Sequence, residues 1–210
     1  MADLQALTDA IERGDRAAAT EITRTAIADR MDPETILAAM TAAMDNVGGK
    51  FQRNEIYVPE MLISARAMKE SVAILEPLLV DSGIKPQFTA VIGTVRGDLH
   101  DIGKNLVAMM WKGANIEVID LGANVAPEEF VAKAREHGAR LVGVSALLTT
   151  TMVGMKEVVD GIRAAGLADC RIVVGGAPVT AEFAAQIGAD GYAPDAASAV
   201  EMARHVGGVA

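Results

Sequence analysis

The sequence predicts an α plus α/β fold: a four-helix bundle over residues 1–82, a linker at 83–88, and a five-stranded doubly wound parallel sheet over 89–210. Three observations predict it. Up to Ser82 the apolar residues recur at helical spacing. Asp81-Ser82-Gly83-Ile84-Lys85-Pro86-Gln87 is polar and carries both Gly and Pro, the composition of a connection. Beyond it, short β-type apolar runs alternate with helical segments, the pattern of a parallel sheet with helices on both faces.

Leu4, Leu7 and Ile11 share one helical face, and Gly14 supplies a stop. Asp15 caps a second helix with Ile22 and Ala26 inward, ending near Met31. Asp32-Pro33 pairs an N-cap with proline at the first helical position, opening a third helix that carries Ile36, Met40, Ala43 or Met44, and Val47. Gly48-Gly49 is expected to break it, leaving Lys50 to Val58 as a connection that holds Phe51 and Tyr57. Pro59 opens a fourth helix with Leu62, Ala65, Met68 or Lys69, Val72, Leu75 and Leu79 at helical spacing. Met40, Met44, Met61 and Met68 read first as adaptable core filler; the alternative is a soft apolar surface for a large flat ligand. In the second part, strands are expected at 89–95, 116–121, 140–145, 171–174 and 191–193. Helices are expected at 102–113, 127–138, 151–165, 180–188 and from 195 to about 205. Right-handed crossovers then give a doubly wound order of the Rossmann or flavodoxin kind.

Bulk composition narrows the function. A chain of 210 residues, 51% hydrophobic and 22% charged, has the make-up of a globular protein. A net charge of −9 disfavours unspecific attraction to nucleic acid or anionic membrane. No apolar run approaches the ~20 residues that span a bilayer. No basic segment followed by an apolar core stands at Met1, and the single cysteine, Cys170, excludes an internal disulfide. A reducing cytoplasm is therefore expected.

Chemistry concentrates where the strands of such a sheet end, the edge at which doubly wound folds bind ligands. The first such place is Gly97-Asp98-Leu99-His100-Asp101-Ile102-Gly103-Lys104-Asn105, a histidine with a carboxylate two residues before it and glycines on both sides. A polar loop in which Asp98 or Asp101 caps the next helix is the bland reading. The second is Ser145-Ala146-Leu147-Leu148-Thr149-Thr150-Thr151, where Thr149 or Thr150 would serve as an N-cap but capping does not account for the whole run of hydroxyls. The third is Gly175-Gly176, which removes side chains where a ligand approaches the backbone, or simply forms a turn. His137 and His205 fall on outer helices and read as surface residues.

Asp98-x-His100-x-x-Gly103, then 41 residues to Ser145-x-Leu147, then 27 to Gly175-Gly176, resembles the cobalamin-binding pattern of corrinoid proteins. The likeness is to the corrinoid proteins of methyltransferase systems and the cobalamin module of methionine synthase. It extends over nearly the whole chain, since Asn46-Val47-Gly48, Tyr57-Val58-Pro59-Glu60 and Ser64-Ala65-Arg66-Ala67-Met68 resemble their helical cap.

The resemblance implies cobalamin or a related cobamide as cofactor, with His100 as the lower axial ligand of its cobalt. It implies Asp98 as the partner of that imidazole and Thr151, where the methionine synthase pattern has serine, as the next member of the relay. Gly97, Leu99, Asp101, Ile102 and Gly103 belong to the same cofactor-binding turn. Ser145, Leu147, Thr149, Gly175, Gly176 and, in the Tyr192–Ala196 segment, Ala196 are implied neighbours of the cofactor and its nucleotide tail. The cap would cover the upper face of cobalt, with Tyr57 and the methionines as candidates to touch it and the linker as a hinge. The implied function is a methyl carrier that is not itself catalytic, loaded by a substrate:corrinoid methyltransferase and unloaded by a methylcorrinoid:acceptor methyltransferase using tetrahydrofolate or a thiol. A reductive activation protein would rescue oxidised cobalt, and neither nucleic acid nor membrane is an expected partner. Alternatives are a B12-dependent regulatory or sensor module and the cobalamin module of a radical isomerase.

Overall fold

A computed structural model describes residues 2–83 and 85–207; Ile84, inside the expected linker, lies outside them, as do Met1 and residues 208–210. Contacts divide the chain into two compact units, one reaching Pro86 and including Lys112–Asn115, the other formed by Gln87–Trp111 and the rest from Ile116.

The first unit holds α1 (Leu4–Glu12), α2 (Arg16–Ala28), α3 (Pro33–Gln52) and α4 (Val58–Asp81). Aspartates begin the first three: Asp3 accepts from the Gln5 and Ala6 amides, Asp15 from Ala18 and Asp32 from Thr35. α1 packs on α2 and α3, and α4 on the same two helices. The expected break at Gly48-Gly49 does not occur, and α3 runs through both glycines to Gln52. A glycine in a helix costs only about 1 kcal/mol against alanine, and tertiary bonds here outweigh that. Glu12 at the end of α1 receives Asn46 Nδ2 at 2.7 Å and Lys50 Nζ at 2.6 Å, two residues about one turn apart that flank the glycines. Ser64 Oγ of α4 donates to the Glu12 carbonyl at 2.9 Å, so three helices meet at one residue. The chain turns instead at Asn54, whose φ of +57° is a left-handed conformation that asparagine tolerates.

In α4 the inward stripe is Met61, Ser64, Ala65, Met68, Ser71, Leu75 and Leu79. Met68 rather than Lys69 takes the inward place, both Ala43 and Met44 are buried in α3, and Leu62 faces out at 38% exposure. All four singled-out methionines are buried and fill core, as the structural reading has it, while Tyr57 stands 66% exposed.

The second unit is a parallel sheet of β1 (Thr89–Thr94), β2 (Glu117–Asp120), β3 (Leu141–Ser145), β4 (Arg171–Gly175) and β5 (Gly191–Ala193), in the order β2-β1-β3-β4-β5. The helices between and after the strands are α5 (Ile102–Gly113), α6 (Pro127–Glu136), α7 (Val153–Ala164), α8 (Ala181–Ile187) and α9 (Ala196–Gly207). Order 2-1-3-4-5 reverses direction between β1 and β3, so the loops after those two strands flank the switch point of the fold. α6, α7 and α8 cover one face through Phe130, Met155, Val158, Ile162, Ala184 and Ile187. On the opposite face Trp111 of α5 donates Nε1–H to the Ala199 carbonyl of α9 at 2.9 Å. Phe88 is also buried and lies against Gly207, which makes it part of this unit.

Two glycines let bulky rings sit directly on the sheet. A Cβ on Gly143 of β3 would stand 2.6 Å from the Trp111 ring, and one on Gly93 of β1 would stand 2.7 Å from Phe130. Both rings are fully buried, so neither can retreat. Gly143→Val is expected to cost about 1–3 kcal/mol through overpacking. Urea unfolding measures it, and a wild-type midpoint would contradict this packing.

Candidate functional site

The site begins with where Asp98 goes. β1 ends at Thr94, Val95 makes a last bridge to Val125, and the turn that follows drops the Asp98 side chain into the protein with no exposed surface. Helix capping does not explain it, because α5 starts four residues later. Asp98 Oδ1 instead accepts from the His100 amide at 3.0 Å and faces His100 Nδ1 at 2.8 Å. Oδ2 accepts from the Leu147 amide at 2.7 Å, the Leu148 amide at 3.3 Å and Thr151 Oγ1 at 2.8 Å. The carboxylate therefore sits between the two loops of the switch point and satisfies donors from both.

Burial by itself would raise the Asp98 carboxyl, but the bonds from the His100 and Leu147 amides, the imidazole and the Thr151 hydroxyl outweigh it and hold the group far below the usual carboxylate range. An ionised carboxylate only accepts, so His100 Nδ1 carries the proton of this pair. Nε2 then presents a lone pair from a ring that is 52% exposed. That nitrogen is what a metal would find.

Around the imidazole lies a collar of exposed aliphatic side chains. Leu99 is 75% and Ile102 78% exposed on the His100 turn, with Leu147 and Leu148 at 41% and 42% on the facing loop. A Cβ on Gly103 would meet no atom within 4 Å, leaving the first turn of α5 open beside them. No group of three or more His, Cys, Asp or Glu side chains able to hold a metal occurs among the described residues. A single imidazole suits a metal whose other ligands arrive with it.

The other residues singled out from the sequence are arranged less tightly. Asp101 directly precedes α5, its carbonyl accepting from the Asn105 amide at 2.8 Å. Gly97 takes φ +82°. Ser145 ends β3 in register with Thr94 and Gly175. Thr149 and Thr150 are exposed, and neither caps α7: residues 148–152 form turns and the helix begins after Met152. Of that hydroxyl run, Thr151 is the member that reaches Asp98, and it also lies 2.8 Å from the Leu148 carbonyl. A Cβ on Gly176, at φ +131°, would stand 1.9 Å from the Ala146 carbonyl oxygen, and one on Gly175 would stand 2.9 Å from that of Ala193. These glycines bring the ends of β3, β4 and β5 together. Ala196 is buried in the first turn of α9, which Asp195 caps by accepting from the Ser198 amide at 2.8 Å. His137 and His205 are exposed.

Residues the sequence did not single out hold the turn in place. Thr94 Oγ1, fully buried, donates to the His100 carbonyl at 3.2 Å. Asn124, in the loop after β2, accepts from the Gly97 amide at 2.8 Å and donates its own amide to the Asp98 carbonyl at 3.0 Å. Lys104 is buried and reaches Asp120 Oδ1 at 2.5 Å and Asn105 Oδ1 at 2.6 Å, pinning the start of α5 to the end of β2. The sequence signal for Asn124 is faint: an Asn two residues after Gly122, a type that accepts positive φ.

The fold and site together define a doubly wound sheet with one carboxylate-backed, half-exposed imidazole at its switch point and exposed aliphatic side chains on the same two loops. The family described as B12 binding domain matches residues 88–201, and a second family of the same description matches residues 3–76. The chain belongs to the B12-binding family. It is 39% identical to a corrinoid protein of Desulfitobacterium hafniense strain Y51, over 98% of each chain. It is 37% identical to the dimethylamine corrinoid protein of Methanosarcina barkeri, over 97% of this chain and 96% of that one. A crystal structure of the methanol:cobalamin methyltransferase complex of Methanosarcina barkeri contains a chain superposing at a TM-score of 0.85 with 30% identity, over 99% of this chain and 80% of the other.

Folding lowers the pKa of Asp98, so its contribution to stability is fully present above the usual carboxylate value of about 4 and is lost as the pH falls below it. Asp98→Asn is expected to cost about 1–3 kcal/mol at neutral pH, since with its oxygen kept on the Leu147, Leu148 and Thr151 donors its NH2 group faces the His100 amide, which needs an acceptor. The variant should also lose less stability than the wild type on acidification. Unfolding midpoints measured from neutral to acid pH test this; parallel curves would contradict the ionised, buried carboxylate.

Proposed function

We propose that the chain is the methyl-carrying corrinoid subunit of a methyltransferase system. The observation that carries the reading is the half-exposed His100 imidazole, its Nδ1 held by buried Asp98 and its Nε2 left for a metal. The donor set fits a corrinoid, a metal group that brings most of its own ligands: the site offers one imidazole nitrogen, no cluster of further metal ligands among the described residues, and an apolar surround. When bound, the corrinoid supplies a cobalt centre that takes up and gives away a methyl group.

The protein's own residues do the rest. His100 Nε2 would hold the cobalt, and Asp98 fixes the tautomer and the ring plane that make this nitrogen available. Thr151 and the Leu147 and Leu148 amides keep the carboxylate ionised and immobile, so the imidazole meets its metal already oriented. Leu99, Ile102, Leu147 and Leu148, all exposed, would exclude water from around His100 once their apolar surface is covered by the cofactor. Ser145, Thr149, Gly175, Gly176 and Ala196 are proposed neighbours of the nucleotide tail.

Two partner enzymes follow from this reading, one that loads the methyl group and one that removes it to an acceptor such as tetrahydrofolate or a thiol, with a reductive activation protein to return oxidised cobalt to service. The relatives' names mention dimethylamine and methanol, and the site described here has no group that would choose between such donors. The methyl donor is selected by the loading enzyme. A reducing cytoplasm suits the lone Cys170, whose thiol burial pushes up to about 11; no helix among the described residues is long and apolar enough to cross a membrane.

The test is reconstitution with hydroxocobalamin, followed by ultraviolet–visible spectroscopy beside His100→Ala. The wild type is expected to bind the corrinoid with its own base displaced and a histidine in its place, and the variant to bind more weakly without that signature. A histidine-ligated spectrum in His100→Ala would overturn the assignment.

A further inference from the structure

We propose that Asn124 is a positioning residue for the ligand turn, setting the backbone at Gly97-Asp98 so that His100 is aimed before the cofactor arrives. The inference rests on the reading of His100 as the axial ligand.

The His100 ring takes its orientation from a single side-chain bond, to Asp98. What holds Asp98 therefore holds the ligand. Its carboxylate is gripped by the loop after β3 through Leu147, Leu148 and Thr151. Its main chain is gripped from the other side, by the loop after β2. There Asn124 Oδ1 accepts from the Gly97 amide at 2.8 Å, while the Asn124 amide donates to the Asp98 carbonyl at 3.0 Å. One residue thus brackets the peptide that leads into Asp98. Gly97 needs that restraint, because at φ +82° it is a glycine in a conformation with wide freedom.

Two features separate positioning from plain stability. Asn124 is exposed, so truncating it opens no cavity and removes no core contact. Its φ of +57° is one that Asn, Asp and Gly adopt with little strain. Asn124→Gly therefore removes the side-chain acceptor while the backbone half of the clamp persists, and Asn124→Asp restores an acceptor on the same backbone.

The experiment uses the full chain, first without corrinoid and then with hydroxocobalamin. Amide hydrogen exchange of the free protein, resolved at residues 97–101, should show Gly97 protected in the wild type, faster exchange across the turn in Asn124→Gly, and recovery in Asn124→Asp. On reconstitution, Asn124→Gly should bind hydroxocobalamin about three- to tenfold more weakly, the worth of one hydrogen bond, with a smaller histidine-ligated fraction; Asn124→Asp should return both to wild-type values. Wild-type exchange and a wild-type histidine-ligated fraction in Asn124→Gly would overturn the proposal. So would an unprotected Gly97 amide in the wild type, which requires no variant to fold. His100→Ala, measured alongside, keeps the two readings apart. Should it retain histidine ligation, the ligand assignment fails on its own, whereas the exchange data judge the clamp without any cofactor.

Discussion

Everything at this site depends on one buried carboxylate. Asp98 has no exposed surface, yet it stays ionised because two backbone amides on one oxygen, one on the other, a hydroxyl and an imidazole all point at it. A buried charge without such partners would cost several kcal/mol. With them it becomes a rigid anchor joining the loops after β1 and β3. The histidine inherits this rigidity. Its tautomer, ring plane and outward nitrogen are consequences of what surrounds a residue two positions earlier.

The sheet supplies the geometry that lets this happen. Order β2-β1-β3-β4-β5 places the β1 and β3 loops side by side at the point where the winding reverses. Gly93 and Gly143 let Phe130 and Trp111 press on opposite faces, which leaves the strands little room to shift. Gly175 and Gly176 bring the last strands close enough for backbone to touch backbone. The helical unit has its own counterpart of Asp98 in Glu12, where Asn46, Lys50 and Ser64 converge from two other helices.

Much of this was legible in the sequence, for reasons that can be named. Apolar periodicity located all five strands and the helices between them, since burial on one or two faces is what a linear pattern records directly. Helical spacing predicts α5 to the residue, Ile102 to Gly113. Asp98, His100 and Thr151 could be grouped because the motif spacing resembles that of corrinoid proteins, not because anything local implied contact across 53 positions. The misses are physical too. Gly48-Gly49 looked like a break, and tertiary bonds to Glu12 overrode the local preference. Thr149 and Thr150 looked like caps, whereas the turn before α7 is shaped by the carboxylate its neighbours must reach. Asn124 was invisible, because its role lies in which loop it faces and no periodicity encodes that.

The central claim is that His100 Nε2 binds the cobalt. Electron paramagnetic resonance of the cobalt(II) form tests it directly, using protein grown with ring-15N histidine and reconstituted with unlabelled cobalamin. A nitrogen of spin one-half splits each cobalt line into two, and the cofactor's own 14N base splits it into three. The account predicts doublets in the labelled protein and triplets in protein with natural-abundance histidine. Triplets in both would mean that the cofactor keeps its own base and that the Asp98–His100 pair serves some other end.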